Sequence, residues 1–316
     1  MASRPIGMTG TAFDDRVVLF ADGRDWHVRG LIAGFERRGV EAAIVPLERI
    51  DFRFGGAGRE PIAIPGFDGR LPRAAFVRTI SAGSFEQVTL RLGILHGLAA
   101  AGVTIWNSPR AIEACVDKST TTLRIARAGL PTPETWVTED PARALAIVEA
   151  EASEATPLVV KPLFGAQGKG LALVTSPQSL PGAAAVHGVY YLQRLVRPKD
   201  GTFRDYRVFV SGGGVVAAMR REAEVWLTNV HQGGRPSRWD PPRAAAEMAL
   251  GAAAAVGADM AGVDLIEDGE GGFMVLEVNS MPAWSGLQSV IETKIADRIA
   301  ADLCRACGLG RAVEPA

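Results

Sequence analysis

The chain predicts a mixed α/β (α+β) protein with a small parallel-sheet lobe followed by antiparallel β structure. Three observations carry this. Strand, helix and strand patterns alternate between Arg16 and Leu47. A strand, a Gly-rich loop and a second strand run from Leu158 to Val174 with no room for a helix between them. Two apolar runs, Gly262-Val263-Asp264-Leu265 and Val275-Leu276-Glu277-Val278-Asn279, are separated only by the turn Glu267 to Gly272, which makes a hairpin.

The elements follow in order. Residues 1–15 show no periodicity. Arg16 to Phe20 reads as a strand. Trp26 to Arg38 has helical spacing through Val28, Ile32 and Phe35, closed by Gly39, and Val40 to Leu47 reads as the next strand. Ala74 to Arg78 is a strand, Val88 to Ala101 a helix, and Val103 to Trp106 completes a first lobe over residues 1–108. Ser108-Pro109 starts a helix, and Asp117 caps a second one that Gly129 stops. Pro131-Thr132-Pro133 forces an extended linker. Strands are expected at Leu158 to Lys161, Leu171 to Val174, Val189 to Leu192, Tyr206 to Val210 and Val215 to Met219. Pro242 to Val256 reads as a helix, and a last helix runs from about Gln288 to Cys307 with Ile291, Ile295, Ile299 and Leu303 on one stripe. This divides the chain into a first lobe, a central lobe over 109–188 and a C-terminal lobe over 189–316.

Composition narrows the function classes. With 316 residues, 47% of them hydrophobic, the chain can bury enough core for two or three lobes. A net charge of −1 gives no electrostatic case for nucleic acid or a membrane surface. No stretch reaches a membrane span, and the first residues lack a secretory pattern, so a cytoplasmic protein is expected. Cys115, Cys304 and Cys307 form no disulfide framework. Cys304 and Cys307 do make a C-x-x-C, but without a second pair or a nearby His they read as packing.

The chemistry concentrates in polar residues that interrupt apolar strands. Glu277 and Asn279 lie two apart on one face, and Asp264 on the partner strand can stand opposite them. Two carboxylates and an amide oxygen repel unless a hard cation lies between them, and magnesium held partly by nucleotide phosphates suits the set. The plainer alternative is two exposed acids on a hairpin edge. Lys161 ends an apolar strand just before Gly165-x-x-Gly168-x-Gly170, and a Lys there is costly to desolvate without an anion. The glycines let backbone amides approach phosphate oxygens, although neither the P-loop nor the dinucleotide spacing is present. Lys118 at a helix start can reach phosphate as a point charge, or be an ordinary solvated Lys. Arg220-Arg221 closes a strand, and Thr228 to Gly234 is a polar, Gly-ended loop in which His231 is better read as a hydrogen-bond partner than as a base.

These residues, in this order, resemble the RimK-like carboxylate–amine ligases of the ATP-grasp superfamily, which include α-L-glutamate ligases. The resemblance spans roughly residues 75–300. It runs through Asn107-Ser108-Pro109, Asp117-Lys118, Val160-Lys161-Pro162, the Gly165 loop, Tyr191-Leu192-Gln193, Asp205-Tyr206-Arg207, Thr228-Asn229, Gly262-Val263-Asp264 and Glu277-Val278-Asn279. It implies an ATP-grasp fold of three lobes with ATP between two antiparallel sheets. It also implies Lys118, Lys161 and the loop glycines Gly165, Gly168 and Gly170 on phosphates, with Gln193, Arg194 and Leu195 along the adenine edge. Asp205 matches a nucleotide-contacting acid; Asp264, Glu277 and Asn279 match ligands of Mg2+ or Mn2+, two ions in all. Arg221 and Asn229 match groups around the transferred phosphate. Two departures stand out: Ala166 where the family usually has Ser, and Arg194 where it commonly has an acid.

The implied reaction activates a carboxylate as an acyl phosphate, with ADP leaving, and an amine then displaces phosphate. Resemblance favours glutamate as the amine and a small cofactor acid, such as a tetrahydromethanopterin-type pterin, as the carboxylate. Arg78 and the Gly83-Ser84 turn are candidate acceptor contacts, or a strand end and a helix cap. A protein-tail acceptor and a non-catalytic ATP-binding protein are the alternatives, and a homo-oligomer stays open. A dinucleotide enzyme lacks its fingerprint, since Ala21-Asp22-Gly23 offers one glycine only.

Overall fold

The computed structural model describes residues 13–55, 60–165, 169–228 and 233–311. In chain order the elements are β1 (Phe13–Phe20), α1 (Trp26–Glu36), β2 (Ala42–Val45), β3 (Asp51–Phe52), β4 (Ile62–Ala63), β5 (Leu71–Val77), α2 (Phe85–Ala100) and β6 (Thr104–Trp106). There follow α3 (Pro109–Val116), α4 (Lys118–Arg127), β7 (Thr135–Thr138), α5 (Pro141–Glu151), β8 (Leu158–Lys161), β9 (Ala172–Val174) and β10 (Tyr190–Arg194). The chain closes with β11 (Phe203–Ser211), β12 (Gly214–Ala223), β13 (Arg235–Arg238), α6 (Arg243–Val256), β14 (Met260–Glu267), β15 (Phe273–Asn279), α7 (Ser285–Gln288) and α8 (Ile295–Cys307). They fall into two compact units, residues 1–110 with 294–316, and residues 111–293.

The first unit is the expected parallel sheet, in the order β2-β1-β5-β6. Asp25 caps α1 and Ser84 caps α2 with a full capping box, so both helices start where their hydroxyl or carboxylate satisfies a free amide. The last helix begins at Ile295, not near Gln288, because α7 ends there and the chain turns through 289–294. It also lies with the first unit, not with the residues that precede it. Two glycines explain how. A Cβ on Gly30 would sit 3.1 Å from Ala296 Cβ, and one on Gly34 would sit 2.9 Å from Ala300 Cβ, so α1 accepts α8 only where it lacks side chains. Asp297 then receives Arg37 Nε at 2.9 Å and the buried Arg38 at 2.7 and 3.2 Å.

The second unit holds two antiparallel sheets, with α5 against the apolar face of one and α6 against that of the other. The four-stranded sheet has the order β7-β10-β8-β9. Leu158, Val160, Val174, Tyr190 and Leu192 pack with Ala144, Ile147 and Val148 of α5. Since β10 lies inside this sheet, the sheet extends past the division at 188/189 that the sequence suggests. Its edge strand, β7, follows closely on the Pro131-Thr132-Pro133 linker, where no element is expected from the sequence.

The five-stranded sheet has the order β13-β12-β11-β14-β15. Tyr206, Val208, Val210, Val263, Leu265, Val275 and Val278 pack against Ala245, Ala249, Ala252, Ala253 and Val256 of α6. The alanines let the helix lie close to the sheet. Val275 and Val278 are three apart yet share this core, which strict alternation forbids. A β-bulge resolves it: Leu265 pairs with Val275 and Asp264 with Glu277, so Leu276 is an extra residue on β15. Among the described residues no helix is long and apolar enough to cross a membrane.

Candidate active site

The face of the five-stranded sheet turned away from α6 collects charge because strand alternation puts it there. On β11, Asp205 and Arg207 alternate with the core residues Tyr206 and Val208. The register aligns Met219, Arg207, Asp264 and Glu277 across β12, β11, β14 and β15. Two pairs further along, Gly262 stands opposite Asn279, and two pairs the other way Asp205 stands opposite Arg221. The expected grouping of Asp264, Glu277 and Asn279 is therefore a property of the register.

Arginines hold the two buried acids. Arg207 grips Asp264 with both arms of its guanidinium, Nε to Oδ1 at 2.7 Å and Nη2 to Oδ2 at 2.6 Å. Arg221 Nη2 approaches the same Oδ2 at 3.2 Å and binds Asp205 through Nε at 2.5 Å and Nη2 at 2.6 Å. Thr228 donates to Asp205 Oδ2 at 2.7 Å. Only 4% of Asp264, 5% of Asp205 and 3% of Arg221 is exposed, so these contacts stand largely free of water. Burial alone would raise the Asp264 carboxyl, but Arg207 and Arg221 outweigh it and hold it at about 2. For Asp205 burial wins, helped by the Asp264 charge, and its carboxyl is pushed up despite Arg221 and Thr228.

The four-stranded sheet contributes the lysine. Lys161, Tyr191 and Gln193 share the face opposite α5. Lys161 Nζ donates to Gln193 Oε1 at 2.5 Å, while Gln193 Nε2 donates to Thr135 Oγ1 at 3.0 Å and Tyr191 OH at 3.2 Å. Gln193 is 1% exposed and thus fixes the amine from a fully satisfied position. Burial pushes the Lys161 amine down to about 8, Lys118 adding to the effect against the pull of Glu277 and Asp264.

Between the sheets' polar residues lies the start of α4. Asp117 caps it by accepting from Ser119 N at 2.8 Å, which leaves Lys118 at the first helical position. Lys118 Nζ donates to Gly165 O at 2.9 Å and lies 3.8 Å from Glu277 Oε1. Thr122, one turn on, meets Tyr191 OH at 2.7 Å and so ties α4 to the lysine-bearing sheet. Gly170 closes the Gly-rich segment at φ +74°, where a Cβ would also lie 2.8 Å from Pro162 Cγ. Gly168, Ala166, Asn229 and His231 lie outside the described residues.

Not every candidate faces this site. Arg194 follows Gln193 on β10 and therefore points to the opposite face. Its guanidinium binds Glu151 Oε2 at 2.7 Å and Glu134 Oε2 at 3.1 Å, over the Trp136 ring. The departure from an acid at this position thus builds a brace to α5. Leu195 donates its amide to Pro157 O at 3.0 Å. Arg207, which enters the sequence reading only within the Asp205-Tyr206-Arg207 match and with no role there, is the group that grips Asp264. A charged residue two positions after Asp205, on the same strand face, was the available signal. Burial pushes the Cys115 thiol up to about 12 and that of Cys304 to about 11, and Cys307 Sγ donates to Leu303 O at 3.0 Å.

The donor set fits a hard cation, being all oxygen with an ionised Asp264 at its centre. Among the described residues no group of three or more His, Cys, Asp and Glu side chains is placed to hold an ion. Two acids and an amide leave coordination positions that phosphate oxygens would fill.

Comparison with known proteins shows what the chain resembles. The model of the RimK-like ATP-grasp domain matches residues 115–303. The tetrahydromethanopterin:alpha-L-glutamate ligase of Methanococcus maripaludis is 32% identical over 296 residues, covering 90% of this chain and 96% of that protein. The enzyme of the same name from Methanocaldococcus jannaschii is 36% identical over 232 residues, covering 71% and 76%. Among solved structures, the ATP-grasp ligase PsnB complexed with minimal precursor, Mg and ADP has a similar fold. Its TM-score is 0.69 at 22% identity, over 94% of this chain and 99% of that one.

Proposed function

The chain belongs to the RimK-like ATP-grasp family, and on that premise we propose that it is an ATP-dependent ligase joining L-glutamate to a small acid, of the tetrahydromethanopterin type. The support for the acceptor is the 32% identity to a ligase of that name across nearly the whole of both chains. The support for the chemistry is one arrangement: Asp264 and Glu277 paired across a hairpin, with Asn279 two pairs along and Lys118 3.8 Å from Glu277.

An oxygen of the acceptor carboxylate attacks the γ-phosphorus of ATP, the bond to the β-phosphate oxygen breaks, and acyl phosphate and ADP result. The glutamate amine then attacks the acyl carbon, gives up a proton, and phosphate leaves. Lys161, held by Gln193, and Lys118, held by Gly165 O, supply positive charge where the transferred group gathers negative charge. Arg221 adds a third cation, fixed in direction by Asp205. Asp264, Glu277 and Asn279 would hold Mg2+ or Mn2+, two ions in this proposal, which when bound neutralise phosphate charge. Gln193, itself buried, holds the Lys161 amine by a hydrogen bond that bulk water does not reach from the glutamine side.

The test is ADP release by the purified protein with ATP, Mg2+ and glutamate, with and without a panel of acceptor acids, and product masses recorded. A gain of one glutamyl residue on a pterin acid, coupled to ADP, supports the proposal. The same gain on a peptide tail only would reassign the acceptor. Glu277→Gln is expected to lower turnover by about a hundredfold while weakening ATP binding only a few-fold; full turnover in that variant would remove Glu277 from the metal site.

A further inference from the structure

The acid centre of this site is already balanced by cations before any ligand arrives. Asp264 has both oxygens engaged by Arg207 and one of them shared with Arg221. Glu277 has Lys118 at 3.8 Å, and Lys161 stands in the field of both acids. Four cations, Arg207, Arg221, Lys118 and Lys161, thus face three carboxylates, Asp205, Asp264 and Glu277. A lone divalent cation entering there meets net repulsion, whereas a triphosphate meets net attraction.

We propose that Arg207 is a positioning residue that makes metal binding conditional on nucleotide, by neutralising Asp264 in the free protein while fixing its direction for the loaded one. The inference rests on the nucleotide reading of the site given above, but not on the identity of the acceptor. Its two parts act in opposite senses. In the free protein the repulsion between the Arg207 guanidinium and a divalent ion beside Asp264 dominates. With nucleotide bound, the phosphates offset that charge, and what remains is the orientation of Asp264 by a two-armed hydrogen bond. Removing Arg207 is therefore expected to strengthen one metal affinity and weaken the other. A side chain that merely supported the fold would weaken both or neither.

The experiment measures Mn2+ binding to the full chain by the loss of the free-ion electron paramagnetic resonance signal. Each protein is titrated alone and saturated with a non-hydrolysable ATP analogue, and analogue binding is followed separately. Wild type is expected to bind Mn2+ on the order of a hundredfold more tightly with the analogue than without it. Arg207→Gln should bind Mn2+ alone several-fold more tightly than wild type, and Mn2+ with analogue about tenfold more weakly. Arg207→Lys keeps the charge and loses the fork. It should match wild type without analogue and fall with Arg207→Gln in its presence. Normal analogue binding with both Mn2+ affinities unchanged in Arg207→Gln, or lowered together, would overturn this inference alone. Failure of wild type to bind the analogue at all would overturn the nucleotide reading and this inference with it.

Discussion

Lys161 gives the site a pH signature of two opposite signs. Its amine is pushed down from the ordinary 10.5 to about 8, chiefly by burial. Between those values the unfolded chain holds the proton and the folded chain does not, so stability rises with pH through that window. Phosphate prefers the ammonium form, so nucleotide affinity should fall as pH climbs through about 8. Calorimetric titration of an ATP analogue from pH 6 to 10 (roughly the window in which a perturbed lysine titrates) checks this. In Lys161→Arg the falling limb should vanish, because Arg stays charged; a limb that survives the substitution belongs to another group. At this scale much was legible. Lys161, Asp264, Glu277 and Asn279 are polar residues in apolar strands, and each is found on the polar face of its sheet. Arg207 was harder, because its partner Asp264 depends on the pairing of β11 with β14, strands that α6 separates in sequence. The Arg194 side chain turns away from Lys161 for a simpler reason: neighbours on a strand face opposite ways, and Gln193 occupies the Lys161 side.

Among elements, β15 shows how one extra residue aims a site. The bulge at Leu276 lets Val275 and Val278 both reach the α6 core while Glu277 stays opposite Asp264. Pairing on either side of the bulge is already in register. Deleting Leu276 should therefore leave the chain folded, with a thermal transition close to wild type. Turnover should nevertheless fall by about ten- to a hundredfold, since the bulge sets the angle at which Glu277 leaves the strand. Thermal melting and steady-state ADP release check the two halves, and an unfolded deletion variant would contradict the register. Such a bulge is invisible in sequence, because Leu276 suits a regular strand as well as a bulged one. The hairpin itself was readable from its turn, where Asp268 Oδ1 accepts from Glu270 N and Gly272 N at 2.7 and 2.9 Å. The edge strand β7 was hidden by the prolines before it.

At the scale of the whole molecule, the chain leaves its first unit at residue 110 and returns to it at 294. The return is held by the glycines of α1 and by Asp297 between Arg37 and Arg38. Truncation after Thr293 would strip the buried Arg38 of its partner, a loss on the order of 3–5 kcal/mol. Limited proteolysis of that truncated form should cut first within residues 13–110, while residues 111–293 resist; equal resistance of both would mean that α8 contributes little. Nothing in the sequence announced this return, since the apolar stripe of α8 suits any apolar partner and only the small residues of α1 select it. The arrangement also sets an order on synthesis. A ribosome delivers β1, α1 and β5 early, yet the unit they form cannot close until Ile295–Cys307 has emerged. Chains usually finish their N-terminal domain first; in this one the middle of the chain can finish folding while its beginning still waits for its end.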